Sequence, residues 1–212
     1  MKKIIVDALN ANRRAIMLDQ AMRFVKMNEV MGDYLEFGVY GGDGFSLAFN
    51  LAKMKEQDTM RFFAFDSFEG LPNPEDKSMS KFSEGMYKCS LEQFKKNIRR
   101  RHVDMDRVTI TPGWFCDTLN DETKRKLNIK KASIVMIDCD IYESTVDVLS
   151  FITDYLDDGT ILIFDDWFCY KGNPEKGEQK ATREWLEQNP EIKLIDYYNF
   201  GCHGKSFIVH KT

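Results

Sequence analysis

The 212-residue chain has no excess of basic residues and no apolar run long enough to span a bilayer. Its formal net charge of −4 argues against electrostatic binding of nucleic acid. The apolar run at residues 4–6 is too short for the core of a secretory signal, and no small-residue cleavage site follows it. We therefore expect a cytoplasmic protein that binds neither nucleic acid nor a membrane.

The cysteines exclude two further kinds of structure. There are five of them, an odd number, and they are scattered without any Cys-x-x-Cys pair. This pattern indicates reduced thiols and argues against both a disulfide framework and a zinc site. Cys139 lies beside the acidic centre described below, but nothing marks it as a nucleophile, so we expect a small buried residue.

Internal repeats, low-complexity tracts and linkers are missing as well. With 43% hydrophobic and 30% charged residues, the chain can bury a sizeable core in one domain over residues 1–212. Residues 1–32 predict a cap segment with a helix over about 10–30. Three roles are open for this helix: it covers the ligand edge, it contacts a partner subunit, or it simply packs on the sheet. The polar stretch 73–87 predicts a mobile lid loop.

Two apolar runs that end in carboxylates organise the chain. Residues 134–137 lead into Asp138, and residues 161–164 lead into Asp165 and Asp166. Such runs are typical of strands buried in a parallel sheet, which present the following residues at the carboxyl edge, where α/β sheets bind ligands. If the two strands are neighbours, three carboxylates converge. Their mutual repulsion favours a hard cation such as Mg2+ or Ca2+.

A second candidate site is the glycine-rich turn within residues 34–48, which has the pattern strand, turn, helix. It lacks the Gly-Lys-Ser/Thr of a P-loop and the third glycine of a Gly-x-Gly-x-x-Gly motif. Glu36, inside the strand, could accept hydrogen bonds from an ammonium group or from water beside one. The alternative is a generic strand-to-helix turn in which backbone groups satisfy Glu36.

Other candidate ligand contacts follow the second and third strands. Asp66 comes some twenty residues after the glycine turn, where an acidic residue can hold the hydroxyls of a ribose; the alternative is a turn cap. Trp114 and Phe115 either flank an adenine or belong to the core. In the same way, Asp140 and Glu143 either support the acidic centre or cap the next helix.

The alternation of strands and helices predicts an α/β fold. Predicted strands begin near residues 34, 62, 108, 134, 160, 194 and 206, with later helices over about 90–101, 142–155 and 178–188. Residues 199–205 form a short link between the last two strands, which indicates an antiparallel pair at the end of the sheet.

Five motifs, taken in order, resemble the macrocin O-methyltransferase (TylF/MycF-type) family of class I S-adenosylmethionine-dependent methyltransferases. They cover residues 36–42, 66–72, 113–119, 137–145 and 165–167. The resemblance implies a Rossmann-like, mostly parallel seven-stranded sheet with helices on both faces and an antiparallel last strand. It also implies Mg2+-dependent transfer of a methyl group from S-adenosylmethionine to a hydroxyl of a sugar or a sugar-containing small molecule.

The resemblance assigns roles to particular residues. The resemblance implies cofactor contacts for Glu36, Gly38, Tyr40, Gly41, Gly42, Asp66 and Ser67. Beside these we expect Ser46, Trp114, Phe115 and Asp138 as further cofactor contacts. Metal ligands are implied at Asp138, Asp165 and Asp166. Asp138 is also the implied base that takes the acceptor proton. Independently of the resemblance, His203 in the link between the last two strands is a second candidate base; the alternative is a loop histidine without a role in the reaction. The chain departs from the family where Cys139 replaces a glycine, and from related catechol methyltransferases where Ile141 replaces a lysine.

Two other functions fit parts of the sequence. A metal-dependent phosphotransferase or hydrolase could use the same aspartates, but it needs cationic phosphate ligands that the sequence does not identify. A non-catalytic S-adenosylmethionine-binding module would keep Glu36 and Asp66 without needing the paired aspartates. The sequence identifies neither the acceptor nor whether the chain forms a homo-oligomer.

Overall fold

A seven-stranded sheet forms the centre of the computed structural model, which describes residues 2–212, with side chains from Arg13 onward. The strands are β1 (Asp33–Phe37), β2 (Phe62–Asp66), β3 (Val108–Pro112), β4 (Ala132–Ile137), β5 (Ile161–Phe164), β6 (Ile192–Phe200) and β7 (Gly204–Lys211). Their order across the sheet is β3-β2-β1-β4-β5-β7-β6. Strands β1 to β5 run parallel to one another, whereas β7 runs antiparallel to both β5 and β6. The predicted fold class is confirmed, including the antiparallel last strand.

Helices cover both faces of this sheet. They are α1 (Lys2–Met27), α2 (Asp43–Met54), α3 (Leu91–Arg100), α4 (Phe115–Thr118), α5 (Asp121–Leu127), α6 (Tyr142–Ile152) and α7 (Gly177–Gln188). Side chains of α1, α2 and α3 share one core with one face of the strands, and side chains of α5, α6 and α7 share the other. Successive strand residues point to opposite faces, so Tyr34 enters the first core and Leu35 the second. Double coverage explains why β4 and β5 are apolar almost throughout.

The N-terminal helix differs in extent from the prediction. It begins earlier than residue 10 and ends at Met27. The predicted stripe of Leu18, Met22 and Val25 is buried, together with Met17, because the helix packs along α2 and the sheet. No helix in residues 2–212 combines the length and apolarity needed to cross a bilayer.

Two short helices, α4 and α5, lie in a stretch without a predicted element. The signals for α5 are present: Asn120 accepts a hydrogen bond from the amide of Thr123, acidic residues follow it, and basic residues end the helix. Both helices come after β3, and the start of α4 brings Trp114 and Phe115 to the carboxyl edge of the sheet. Cys139 is buried, as predicted.

Candidate active site at the carboxyl edge of the sheet

The carboxyl ends of β1, β2, β4 and β5 open into one cavity of about 920 Å3. Its wall combines the glycine-rich turn, Asp66, residues 138–141 and the paired aspartates after β5. The link between β6 and β7 and part of the 73–87 loop complete the rim. The two candidate sites expected from the sequence therefore belong to one cavity.

The three predicted metal ligands converge in this cavity. Asp138, Asp165 and Asp166 each offer one carboxylate oxygen, and these oxygens all lie within 4.8 Å of one another. The sheet positions them, since the amide of Asp138 donates to the carbonyl of Phe37 at 2.9 Å and that of Asp165 donates to Ile137 at 3.1 Å. Neighbouring parallel strands thus end at the same level.

An arginine that the sequence analysis did not identify reaches the same carboxylates. Arg14, from α1, places Nη1 3.0 Å from Oδ2 of Asp138 and Nη2 2.5 Å from Oδ2 of Asp165. Burial opposes the guanidinium charge, but Asp138, Asp165 and Glu36 raise the pKa of Arg14 above its ordinary value. Arg14 therefore brings one side chain of α1 to the ligand edge, while the helix packs on the sheet.

A lysine of the 73–87 loop contacts the third carboxylate. Lys81 Nζ lies 3.2 Å from Oδ1 of Asp166 and 3.2 Å from Sγ of Cys169. The Cys169 thiol in turn donates to Asp166 Oδ1 at 2.9 Å. The loop is anchored beside Lys81, because the Phe82 side chain is buried in a small cluster that includes Tyr170. Movement of the loop remains a prediction.

Two more carboxyl groups, those of Glu178 and Asp140, lie close to the three aspartates. Glu178, at the start of α7, is buried; its Oε2 accepts from the amide of Asp166 at 3.1 Å. Its Oε1 has no hydrogen-bond partner among the described residues. Asp140 takes a left-handed backbone conformation, with φ of 67°, and lines the same cavity as Asp166. No described side chain caps α6, so the capping role considered for Asp140 is not observed, and its support of the acidic centre stays a prediction.

The electrostatics of the cluster favour a bound cation. Burial raises the pKa of Asp138 well above its ordinary value, although the Arg14 guanidinium opposes the shift. Burial likewise raises the pKa values of Asp165, Asp140 and Glu178, with neighbouring carboxylates adding to the effect. An all-oxygen donor set with excess negative charge fits a hard divalent ion such as Mg2+.

Glu36 forms a second buried acidic position at the start of the glycine turn. The Tyr34 hydroxyl donates to its Oε2 at 2.5 Å, so a side chain rather than the backbone satisfies this carboxyl group. Burial raises the pKa of Glu36 to about 7, against the effects of the Tyr34 hydrogen bond and the Arg14 guanidinium. Glu36 also lines the cavity, where it can accept a hydrogen bond from a cationic ligand group.

Asp66 joins the end of β2 to the glycine turn. Its Oδ2 accepts from the amides of Val39 and Tyr40 at 2.9 and 3.0 Å, and its Oδ1 accepts from Phe68 at 2.7 Å. Burial raises its pKa, and these backbone donors oppose the shift. The turn-capping role is therefore present, and the same carboxylate lines the cavity, where a ribose could approach it.

The other predicted site residues divide into two groups. The cavity is lined by Gly38, Tyr40, Gly41, Ser67, Trp114, Phe115 and His203. Phe115 also packs edge-on against Phe37, so it contacts both the core and the cavity. Gly42 and Ser46, by contrast, are not among the residues that line the cavity. A Cβ atom on Gly42 would lie 2.6 Å from Ile98 of α3, and the buried Ser46 hydroxyl has no hydrogen-bond partner in the part of the chain that is described.

The strand order and the site at the carboxyl edge define the class I methyltransferase fold. The solved structure of the O-methyltransferase NovP superposes with a TM-score of 0.76 at 24% identity, covering 92% of this chain and 79% of that chain. The calicheamicin methyltransferase CalS11 superposes with a TM-score of 0.75 at 22% identity, covering 92% of this chain and 77% of that chain. At these identities the likeness concerns the fold.

Sequence comparison then gives the family. The family model described as Macrocin-O-methyltransferase (TylF) matches residues 7–198, so the chain belongs to the macrocin O-methyltransferase family. It is 32% identical, over 71% of its length, to 8-demethyl-8-(2,3-dimethoxy-alpha-L-rhamnosyl)-tetracenomycin-C 4'-O-methyltransferase of Streptomyces olivaceus. It is 30% identical, over 79% of its length, to mycinamicin III 3''-O-methyltransferase of Micromonospora griseorubida. The matches span 58% and 66% of these relatives.

Proposed function

We propose that this protein is a Mg2+-dependent O-methyltransferase that transfers a methyl group from S-adenosylmethionine to a hydroxyl of a sugar or a sugar-containing small molecule. The observation that carries the proposal is the convergence of Asp138, Asp165 and Asp166 in the cavity formed by the glycine turn. Family membership supports methyl transfer, and the names of two relatives, which refer to a rhamnosyl tetracenomycin and to mycinamicin III, support a sugar-bearing acceptor.

The β1 and β2 side of the cavity suits the cofactor. Glu36 offers a buried carboxyl group for the ammonium of its methionine part, and Asp66 offers a carboxylate for its ribose. Trp114 and Phe115 supply aromatic surface for the adenine. When bound, S-adenosylmethionine supplies an electrophilic methyl group, and Mg2+ lowers the pKa of an acceptor hydroxyl and holds it in place.

The β4 and β5 side suits the ion and the acceptor. Asp138, Asp165 and Asp166 would hold the ion, and Glu178 would support Asp166 by accepting the hydrogen bond of its backbone amide. Asp138 lies where the two halves of the cavity meet, so it is our first candidate to accept the hydroxyl proton. His203 is exposed at the rim, in the link between β6 and β7, and is the second candidate. A cavity of about 920 Å3 has room for two ligands together.

A thermal-shift panel tests the proposal against its two rivals. The ligands are S-adenosylhomocysteine, ATP and NAD, each with and without Mg2+, and stabilisation follows mass action. We expect S-adenosylhomocysteine alone to raise the melting temperature and Mg2+ to add a further shift. A Mg2+-dependent shift with ATP and none with S-adenosylhomocysteine would instead support a phosphotransferase. A shift with S-adenosylhomocysteine and no response to Mg2+ would support the binding module.

A further inference from the structure

Two side-chain cations already contact all three of the proposed metal ligands. Arg14 bonds to Oδ2 of Asp138 and Oδ2 of Asp165, at 3.0 and 2.5 Å. Lys81 bonds to Oδ1 of Asp166 at 3.2 Å. Each carboxylate therefore has one oxygen engaged by a protein cation, and the two cations come from different parts of the chain, α1 and the 73–87 loop.

The charges of these two groups match the charge of the proposed ion. One guanidinium and one ammonium group together carry two positive charges, which is what a divalent cation would bring to the same three carboxylates. A divalent ion beside them would be repelled strongly, because the cluster lies in a partly water-excluded cavity where charges interact over short distances. It is therefore unfavourable for Arg14, Lys81 and the divalent ion to contact the three carboxylates at the same time.

We propose that Arg14 and Lys81 are internal counter-cations that offset part of the negative charge of the aspartate cluster without metal and compete with the divalent ion for it. Binding of the ion displaces both side chains from Asp138, Asp165 and Asp166. The inference rests on the proposed function, because it takes these aspartates as the metal ligands. It adds a property of this chain: the affinity of the cluster for metal is set in part by two residues that are not ligands.

The displacement needs only side-chain rotation. The Arg14 side chain is 29% exposed and that of Lys81 is 37% exposed, so each has a path towards solvent. Both are long and unbranched up to the charged group. The backbone beside Lys81 stays anchored, because Phe82 is buried. The exchange is therefore compatible with the sheet and the loop as they stand.

Metal affinity of the full-length protein tests the proposal. Titration calorimetry with Mg2+ and with Mn2+ would compare wild type with Arg14→Gln and Lys81→Gln, each without cofactor. We expect each variant to bind metal about tenfold more tightly than wild type, a change of about 1.4 kcal/mol, because one competing cation has been removed. We also expect each metal-free variant to melt at a lower temperature than wild type and to gain more from added metal.

Matched controls separate this effect from a general loss of positive charge. Arg13→Gln and Lys77→Gln remove cations from the same helix and the same loop and should leave metal affinity unchanged. Arg14→Lys keeps the positive charge and should bind metal no more than a few-fold more tightly than wild type. If Arg14→Gln does not fold, Lys81→Gln carries the test. Unchanged or weaker metal binding in both Gln variants would overturn the proposal. Absence of metal binding in every protein, wild type included, would instead refute the metal part of the proposed function.

Discussion

A Cβ atom on Gly38 would lie 1.9 Å from the carbonyl oxygen of Asp138. The ends of β1 and β4 therefore meet without room for any side chain, and the cofactor half of the cavity directly adjoins the metal half. The backbone φ of Gly38 is 86°, a conformation that also favours glycine. This contact explains why a glycine is needed after Phe37.

We predict that Gly38→Ala lowers the free energy of unfolding by more than about 3 kcal/mol, because both backbone strain and a clash with main-chain atoms must be relieved. Urea denaturation measures this loss. Gly85→Ala is the control, since Gly85 has a φ of 75° and no described atom within 4 Å of the added Cβ. It should cost only the strain of about 1–2 kcal/mol. Equal losses for the two variants would argue against the close approach.

The aspartates after β5 should serve the metal and not the cofactor. We predict that Asp165→Asn and Asp166→Asn each abolish Mg2+ binding but change the affinity for S-adenosylhomocysteine by less than about threefold, which is under 1 kcal/mol. Calorimetric titration with each ligand measures both. The physical reason is that these side chains lie at the end of β5, whereas the proposed cofactor contacts come mainly from β1 and β2. A variant that binds metal normally and loses S-adenosylhomocysteine would contradict this division.

Trp114 should contribute to cofactor binding through its ring. We predict that Trp114→Ala weakens S-adenosylhomocysteine binding about tenfold, as expected when an aromatic surface for a base is removed. Trp114→Phe, which keeps a ring, should lose less, and Mg2+ affinity should stay the same in both. Quenching of tryptophan fluorescence in wild type provides an independent measurement. Equal affinities in the Ala variant and wild type would place the adenine elsewhere.

Glu36 should make the metal-free protein less stable as the pH rises. Its pKa is about 7 in the folded protein, against an ordinary value of 4.5. The folded state therefore holds this proton more tightly, and the resulting stability is complete below about pH 4.5 and lost as the pH rises through about 7.

We predict that Glu36→Gln reduces the fall in unfolding free energy between about pH 5 and pH 8, measured by denaturation with a chelator present. The glutamine side chain would still accept the hydrogen bond of Tyr34, so the variant removes the titration and keeps this contact. Glu84→Gln, which removes an exposed carboxylate, is the control and should leave the pH dependence as in wild type. If unfolding free energy falls as steeply with pH in the Glu36 variant as in wild type, groups other than Glu36 cause the pH dependence.

The sheet and the acidic cluster could be predicted because both follow from local sequence. The apolar runs before Asp138 and Asp165 are strands by composition, and parallel neighbours bring their ends together. The bounds of the cap helix differ from the prediction, because its buried stripe gives no signal for where the helix starts. Helix α5 has a recognisable cap, yet neither it nor α4 was predicted, since both are too short to show a clear apolar period.

Arg14 and Lys81 could not be predicted in the same way. Arg14 meets Asp138 from a distant part of the sequence, and nothing near either residue encodes that pairing. Lys81 lies in a polar loop that resembles any solvated loop, and the packing of Phe82 anchors this loop beside Asp166. Such contacts depend on how α1 and the loop pack onto the finished sheet.

The most direct test of Mg2+-dependent methyl transfer uses S-adenosylmethionine with an isotope-labelled methyl group and a panel of deoxysugar glycosides. Mass spectrometry detects the labelled product. We predict that label appears on a sugar hydroxyl with Mg2+ present. We also predict that it is lost with a chelator, restored by added Mg2+, and absent in Asp165→Asn. Transfer at an undiminished rate in the chelated wild type, or in the Asp165→Asn variant, would contradict the claim that these aspartates act through a bound divalent ion.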